Sequence, residues 1–363
     1  AHLHIRSNRD YKVWVSRGPE YNIQTFDVAA DQTKPGTGIS LATTLKRVVD
    51  TTGYISADFH IHAAPSIDSD VSLHDRVLSG AAEGLECMVA TDHNVVTDYA
   101  PTIQKAGLTE WLTSMIGLEL STLESGHFNG YPLSRAKEKI IKGSFEWSSR
   151  PPRELFQDMR DLGAISPEKT LIQVNHARDS ILGYFSQYEV DELSAQRVEA
   201  APGFDLSNIL SASGTAFFDA EGESTVALEN ADFDVIEVLN GPILFESFHA
   251  RMPEDISGVE LDPEVVEKLP AAGTILCSDG RVAFPGVVDD WFNFLNLGRT
   301  FAGVANSDSH GENNLGYPRT YVYMDTDDPT VVTPEKVVDA LKAHRATMSN
   351  GAFMELFVNG KPI

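Results

Sequence analysis

Cysteine is nearly missing from this chain, with two residues in 363: Cys87 in LECMVA and Cys277 in TILCSDG. Both lie in apolar runs without ligand spacing, which excludes a thiolate metal site and reads as two buried thiols or a single disulfide. Basic charge is scarce too. With 28 Lys and Arg against 53 Asp and Glu, the net charge is −25, and no basic run interrupts it, so no nucleic-acid partner is expected and an anionic membrane surface would repel the chain. No apolar stretch approaches the roughly 18 residues of a membrane span, so no membrane-spanning segment is expected. The opening AHLHIRSNRDYKVW lacks a signal peptide's apolar core, although a signal already removed would leave no trace. HExxH, GxSxG, P-loop and GxGxxG motifs are absent, and with them the signals of zincins, serine hydrolases, NTPases and dinucleotide enzymes. What remains is ordinary globular composition, 42% hydrophobic and 22% charged, of a length that suits two domains or one large α/β barrel with an appendage.

Residues 1–55 read as a β-rich segment, part of a β-sandwich module. HLHIRS, YKVWVSRG, YNIQTFDVAA and TTLKRVVDTTGY are rich in Val, Ile, Tyr and Thr and are separated by turns such as RGPE and TKPGTG. The chain opens directly on strand-like sequence, which suggests a fragment of a longer protein. From residue 56 to 363 short apolar runs alternate with helix-compatible segments, the rhythm of βα units. Seven strands are expected: YISADFHIH, ECMVATDH, TSMIGLEL, GHFNGYPL, TLIQVNHA, FDVIEVLNG and TFAGVANSDSH. Residues 186–230, acidic and weakly periodic, read as an insertion over the barrel rim.

Six of these runs carry a ligand-type residue at an end or beside it: YISADFHIH, ECMVATDH and TFAGVANSDSH end in His, and TSMIGLEL, GHFNGYPL and TLIQVNHA have Glu or His one residue from an end; the remaining run, FDVIEVLNG, ends at Asn240. In a parallel α/β barrel the C-terminal strand ends converge on one mouth, so such residues meet although distant in sequence. His60 and His62 form an HxH whose alternation points both imidazoles to one side. Asp68 follows in AAPSIDSD, and Asp92 and His93 end ECMVATDH. Asp92 is either an orienting carboxylate behind a ligand or a turn residue. Glu119, an acid inside an apolar strand, calls for a cation, because an unpaired carboxylate there costs several kcal/mol. His127, His176, Asp308 and His310 repeat the theme of apolar run followed by ligand-type residue. His2, His4, His74, His249 and His344 lack such company and take no part.

The ordered set HxH, Asp, TDH, strand Glu, GHFN, NHAR and SDSHG resembles the PHP (polymerase and histidinol phosphatase) superfamily of metallohydrolases. ADFHIHAAPSIDSD and VATDHNVVTDYAP look like its carbaryl-hydrolase (CehA/McbA-type) branch. The resemblance covers roughly residues 54–353. It implies a distorted (β/α)7 barrel with up to three metal ions at its mouth. His60, His62, Glu119 and Asp308 would hold the first. Glu119, His127 and His176 would hold the second, and Asp68, His93 and His310 the third; family members often have His where this chain has Asp68. The resemblance extends to the β-rich segment before the barrel, often found in exported proteins, and so points to a periplasmic or extracellular location.

A donor set of imidazole and carboxylate suits zinc first, with manganese or iron also compatible. Two or three such ions would generate hydroxide from bound water, making hydrolysis the natural reaction. Arg178 is a candidate for stabilising oxyanion charge, or else pairs with Asp179 or another acid. Phe128, Tyr131, Tyr184 and Phe245 are expected to line the pocket and to favour a small, partly apolar ester or carbamate substrate. A phosphoesterase is the alternative, and a non-catalytic metal-binding adhesion module a further one. Oligomeric state is not legible.

Overall fold

The computed structural model describes residues 3–123, 125–135, 143–179, 182–187, 231–244, 286–359 and 361–362, and its architecture is mixed α/β. In chain order the strands are β1 (Tyr11–Val15), β2 (Gln24–Val28), β3 (Tyr54–Ile61) and β4 (Cys87–Ala90). Then come β5 (Thr113–Ile116), β6 (Leu118–Ser121), β7 (His127–Tyr131) and β8 (Leu171–Val174), followed by β9 (Val235–Asn240), β10 (Ala302–Asn306), β11 (Arg319–Tyr323) and β12 (Ala346–Ser349). Helices Leu73–Ala82, Ala100–Ala106, Pro152–Asp161, Val287–Asn296 and Pro334–Lys342 lie between them.

Local chemistry sets these elements. Ser72 caps the first helix by accepting from the Asp75 amide, and Thr333 caps the last by accepting from Lys336. Helix Pro152–Asp161 starts on proline, which has no amide hydrogen to waste there, and buries Leu155, Phe156 and Met159 on one stripe. All eight residues of β3 are buried, as in a strand covered on both faces.

Two five-stranded sheets result, ordered β12-β11-β3-β4-β5 and β10-β9-β8-β7-β6. Pairing is parallel along β3-β4-β5 and β8-β9-β10. β7 is antiparallel to both β6 and β8, and β11 and β12 add an antiparallel edge beside β3. The expected succession of parallel βα units therefore breaks at β7. Residues 122–126, which join β6 to β7, are too few for a crossover helix, so the chain turns straight back.

TSMIGLEL, read as one strand, is two. β5 pairs with β4 and β6 with β7, and the chain changes sheets at Gly117, where a Cβ would lie 2.9 Å from the carbonyl oxygens of both Ala90 and Gly130. No larger residue passes that point. Hydrogen bonds join the sheets along both margins. On one side His93 bridges Glu119, with the Asn94 amide donating to the Glu119 carbonyl at 2.7 Å. On the other, the Asp308 amide donates to the His60 carbonyl at 2.9 Å and the His62 amide to that of Ser309 at 3.1 Å.

The first 55 residues hold fewer strands than their composition suggests. β1 and β2 form an antiparallel ribbon running from Tyr11↔Val28 to Val15↔Gln24, whereas among the described residues HLHIRS contributes no strand and TTLKRVVD only Arg47, in the isolated bridge Tyr21↔Arg47. Side chains do the anchoring instead. Arg47 pairs with Glu20 and with Asp327, each at 2.7 Å, and the Arg17 guanidinium stacks 4.5 Å above the Trp111 ring. Cys87 is a buried free thiol in β4. The insertion placed at 186–230 lies outside the described residues from 188 onward, as do Cys277, Phe245 and His249. Among the described residues no helix is long and apolar enough to cross a membrane.

Candidate metal centre

The ligand-type residues meet where the strands end. β3 delivers His60 and, one step past its end, His62; β6 delivers Glu119 and β7 His127. The turns after β4, β8 and β10 deliver His93, His176, Asp308 and His310. His176 and Asp308 sit at φ 28° and 46°, which folds the chain sharply at each strand exit. Among the described residues, three groups bring one donor atom from each member within 4.8 Å of the others: His62, Asp68, His93 and His310; His60, His62 and Glu119; and His93, Glu119 and His127. His60, His62 and Glu119 are fully buried, while the Asp68 side chain is 48% exposed and marks the outer edge.

Hydrogen bonds fix which imidazole nitrogen faces inward. His60 Nδ1 lies 2.9 Å from Glu237 Oε1, and His310 Nδ1 lies 2.9 Å from the Asp308 carbonyl. Both partners only accept, so in each neutral ring the proton stays on Nδ1 and Nε2 carries the lone pair. His62 Nδ1 contacts Ser66 Oγ at 2.9 Å. His60 Nε2 and His62 Nε2 then approach Asp308 Oδ1 at 3.2 and 3.1 Å, and these three buried atoms have no hydrogen-bond partner. Facing lone pairs on orphaned buried atoms fit a cation between them. His93 points Nε2 towards Asp68 at 3.1 Å and Nδ1 towards Glu119 at 2.7 Å. His127 Nδ1 and Asn175 Nδ2 reach Glu119 Oε1 at 3.2 and 2.8 Å, and His176 Nε2 lies 3.6 Å from the same oxygen.

Burial opposes every charge here, yet the mixture holds several. Glu119 stays well below the usual carboxylate range despite burial, because His60, His93 and His127 surround it. Asp308 is held down by His60 and His62. Against their own burial, His93 is raised to about 9 chiefly by Glu119, and His176 to about 9 by its contact with Glu119. Burial wins at His62, which drops to about 4.

The other expected site residues fall elsewhere. Asp92 accepts from the Ala63 amide at 2.7 Å and so holds the turn after His62, not the ring of His93. Burial raises its carboxyl to about 6. Arg178 is buried and closes its fork on Asp290, Nε at 2.7 Å and Nη2 at 2.5 Å, so among the described residues its fork meets a buried acid. Phe128, Tyr131 and Tyr184 are core, at most 1% exposed. Strand alternation explains the first: with His127 turned to the donors, Phe128 must turn away, onto Phe156 and Tyr184. Tyr131 stacks on Phe59 and donates to Gln173 at 2.9 Å. Pocket lining requires exposure that these three lack, and Phe245 lies outside the described residues. Sequence reasoning misses Glu237, Ser66, Asn175 and Asn240. Only Glu237 carried a signal, that of an acid inside an apolar strand, as at Glu119.

No protein-family model matches the chain, and no curated protein does. Solved structures do. A two-domain protein of Bacteroides vulgatus containing a predicted PHP-like metal-dependent phosphoesterase is similar at 16% identity, over 86% of this chain and 69% of that one, with a TM-score of 0.42. The lesion-specific endonuclease PfuEndoQ of Pyrococcus furiosus is similar at 13% identity, over 80% of this chain and 56% of that one, with a TM-score of 0.39. PsfC of Pseudomonas syringae gives 10% identity, over 82% and 92%, with a TM-score of 0.41. None of the three is described as a carbaryl hydrolase.

Proposed function

We propose that the chain is a metal-dependent hydrolase of the PHP type, built on a distorted seven-unit barrel, and that it cleaves phosphoesters. The observation that carries this reading is Glu119, a buried carboxylate shared by two adjacent donor groups. Hydrogen-bond direction supports the division of ligands. His62, tied to Ser66 through Nδ1, has only Nε2 to offer, and that atom faces Asp308 together with His60. These two, Glu119 and Asp308 form the first set. His93 offers Nε2 to the outer set with Asp68 and His310, leaving His127 and His176 with Glu119 for the second. Divalent ions, zinc first and manganese or iron next, would supply an activated water and neutralise a phosphoryl group.

Two features favour a phosphoester over the aryl ester or carbamate expected above. Three of the aromatics expected to make an apolar pocket, Phe128, Tyr131 and Tyr184, are core, and the Arg178 fork is engaged by Asp290. Recognition then falls to the cations, which suit a group with several charged oxygens. The test is kcat/KM of metal-loaded protein for aryl phosphate mono- and diesters against the matching acetate and carbamate. A phosphoester preference of about tenfold or more is expected, abolished by chelation and restored by metal. A preference for the carbamate would return the apolar reading.

A further inference from the structure

We propose that Glu237, which belongs to none of the three donor groups, is the positioning residue of this centre. It fixes which nitrogen of His60 faces a cation and, through Asn240, where the Asp308 carboxylate points. The inference rests on the metal reading above. Glu237 lies in the middle of β9 and is 1% exposed, and both its oxygens are occupied. Oε1 accepts from His60 Nδ1 and from Asn306 Nδ2, each at 2.9 Å. Oε2 accepts from the His176 amide at 2.8 Å and from Asn240 Nδ2 at 3.0 Å. Asn240 Nδ2 is shared, for Asp308 Oδ2 also lies 3.0 Å away.

One side chain thus reaches three ligand positions by three routes. At His60 it acts on the ring: a carboxylate cannot donate, so the imidazole proton is held on Nδ1 and the Nε2 lone pair is aimed at the space beside Asp308 and Glu119, 3.2 Å from each. At His176 it acts on the backbone, clamping the amide of a residue whose φ of 28° few side chains adopt. At Asp308 it acts through the shared amide of Asn240, which occupies Oδ2 and leaves Oδ1 for the two imidazoles. A purely structural acceptor would satisfy the amides; the negative charge additionally makes His60 a stronger ligand, as carboxylates behind metal-bound histidines do.

The test is a competitive chelator titration with zinc on the purified chain. Glu237→Gln keeps the shape, but its amide offers a single acceptor oxygen and turns an NH2 towards a donor. We expect it to fold, by circular dichroism and melting, and to bind the zinc of the His60–Asp308 set about 10–100-fold more weakly than the parent, with a lesser loss at the set that holds His176 and the outer equivalent unchanged. Glu237→Asp, which restores the charge, should recover part of that loss. Leu155→Ala, a truncation in the hydrophobic core of a side chain that belongs to none of the donor groups, should lower the melting temperature without changing affinity. Should Glu237→Gln not fold, Asn240→Ala removes only the relay to Asp308 and should weaken the same equivalent about tenfold. Unchanged affinity in a folded variant, or an equal loss in Leu155→Ala, overturns the proposal while the metal reading stands. A parent protein that binds no zinc overturns both.

Discussion

Two glutamates at opposite ends of the sheets show how differently one fold treats a buried carboxyl. Glu119, at the donor-bearing end, is fully buried and remains charged because imidazoles surround it. Glu86, just before β4 at the other end, is partly buried and accepts from the Ser56 amide at 2.9 Å. Burial pushes it up to about 8, and Glu20 adds repulsion that Arg47 offsets only in part. Desolvation acts on both; the company decides. A charge retained in the interior marks the end of the molecule that is prepared for a cation, and a neutral acid marks the end that is not.

The largest expected effect tests the charged end. Glu119→Gln removes a donor common to two groups, and should lower kcat/KM by about 1,000-fold or more with loss of bound metal, since a neutral amide cannot bridge cations as a carboxylate does. Glu86→Gln should leave turnover within about twofold. Similar losses in both variants, measured by steady-state kinetics and elemental analysis, would erase the contrast.

A smaller effect is read in pH. His93 and His176 are raised to about 9 in the metal-free protein, so protons compete with the cation across the neutral range. Metal affinity should climb as pH rises from about 6.5 to 9, by up to about tenfold per unit for each proton displaced. Stability of the metal-free form should move the other way. An imidazole whose folded pKa exceeds its unfolded value stabilises fully below that unfolded value and loses its contribution as pH passes the folded one. Chelator competition and thermal melts at pH 6, 7.5 and 9 test both slopes, and a pH-independent affinity would contradict them.

The smallest effect belongs to the neutral end. Glu86 has a folded pKa above its ordinary 4.5, so its cost is absent below that value, grows as pH rises and levels off above about 8. Glu86→Gln should match the parent at pH 4 and exceed it by about 1–2 kcal/mol at pH 9, allowing for the residue's partial solvent access. Urea midpoints compared at the two pH values decide it.

Much of the donor end is legible in the chain because polar residues there stand where apolar runs stop. His60, His62, His93, His176, Asp308 and His310 all fit that description, and Glu119 betrays itself by standing inside such a run. Glu237 does too, but its strand ends in Asn240, and attention to run ends passes over a carboxylate in the middle. Which aromatics reach a pocket is not legible from loop membership. Alternation along β7 sends Phe128 opposite to His127, a rule the sequence contains but a roll of nearby aromatics ignores. The split at Gly117 depends on two carbonyls from other strands, and the ribbon at the start depends on Arg47 finding Glu20 and Asp327. Neither long-range contact leaves a local trace.

The margin where β3 meets the turn after β10 has a consequence for how the chain matures. The Phe59 amide donates to Asn306 Oδ1 across 247 positions of sequence, and the Asp308 amide closes on the His60 carbonyl beside it. Bringing such distant segments together carries the entropic cost of a very long loop, which later contacts must offset. During synthesis the first histidines therefore emerge long before the aspartate that faces them. A nascent chain halted short of residue 308 has no complete inner ligand set, so tight cation capture at that position reports that the last of these segments has docked.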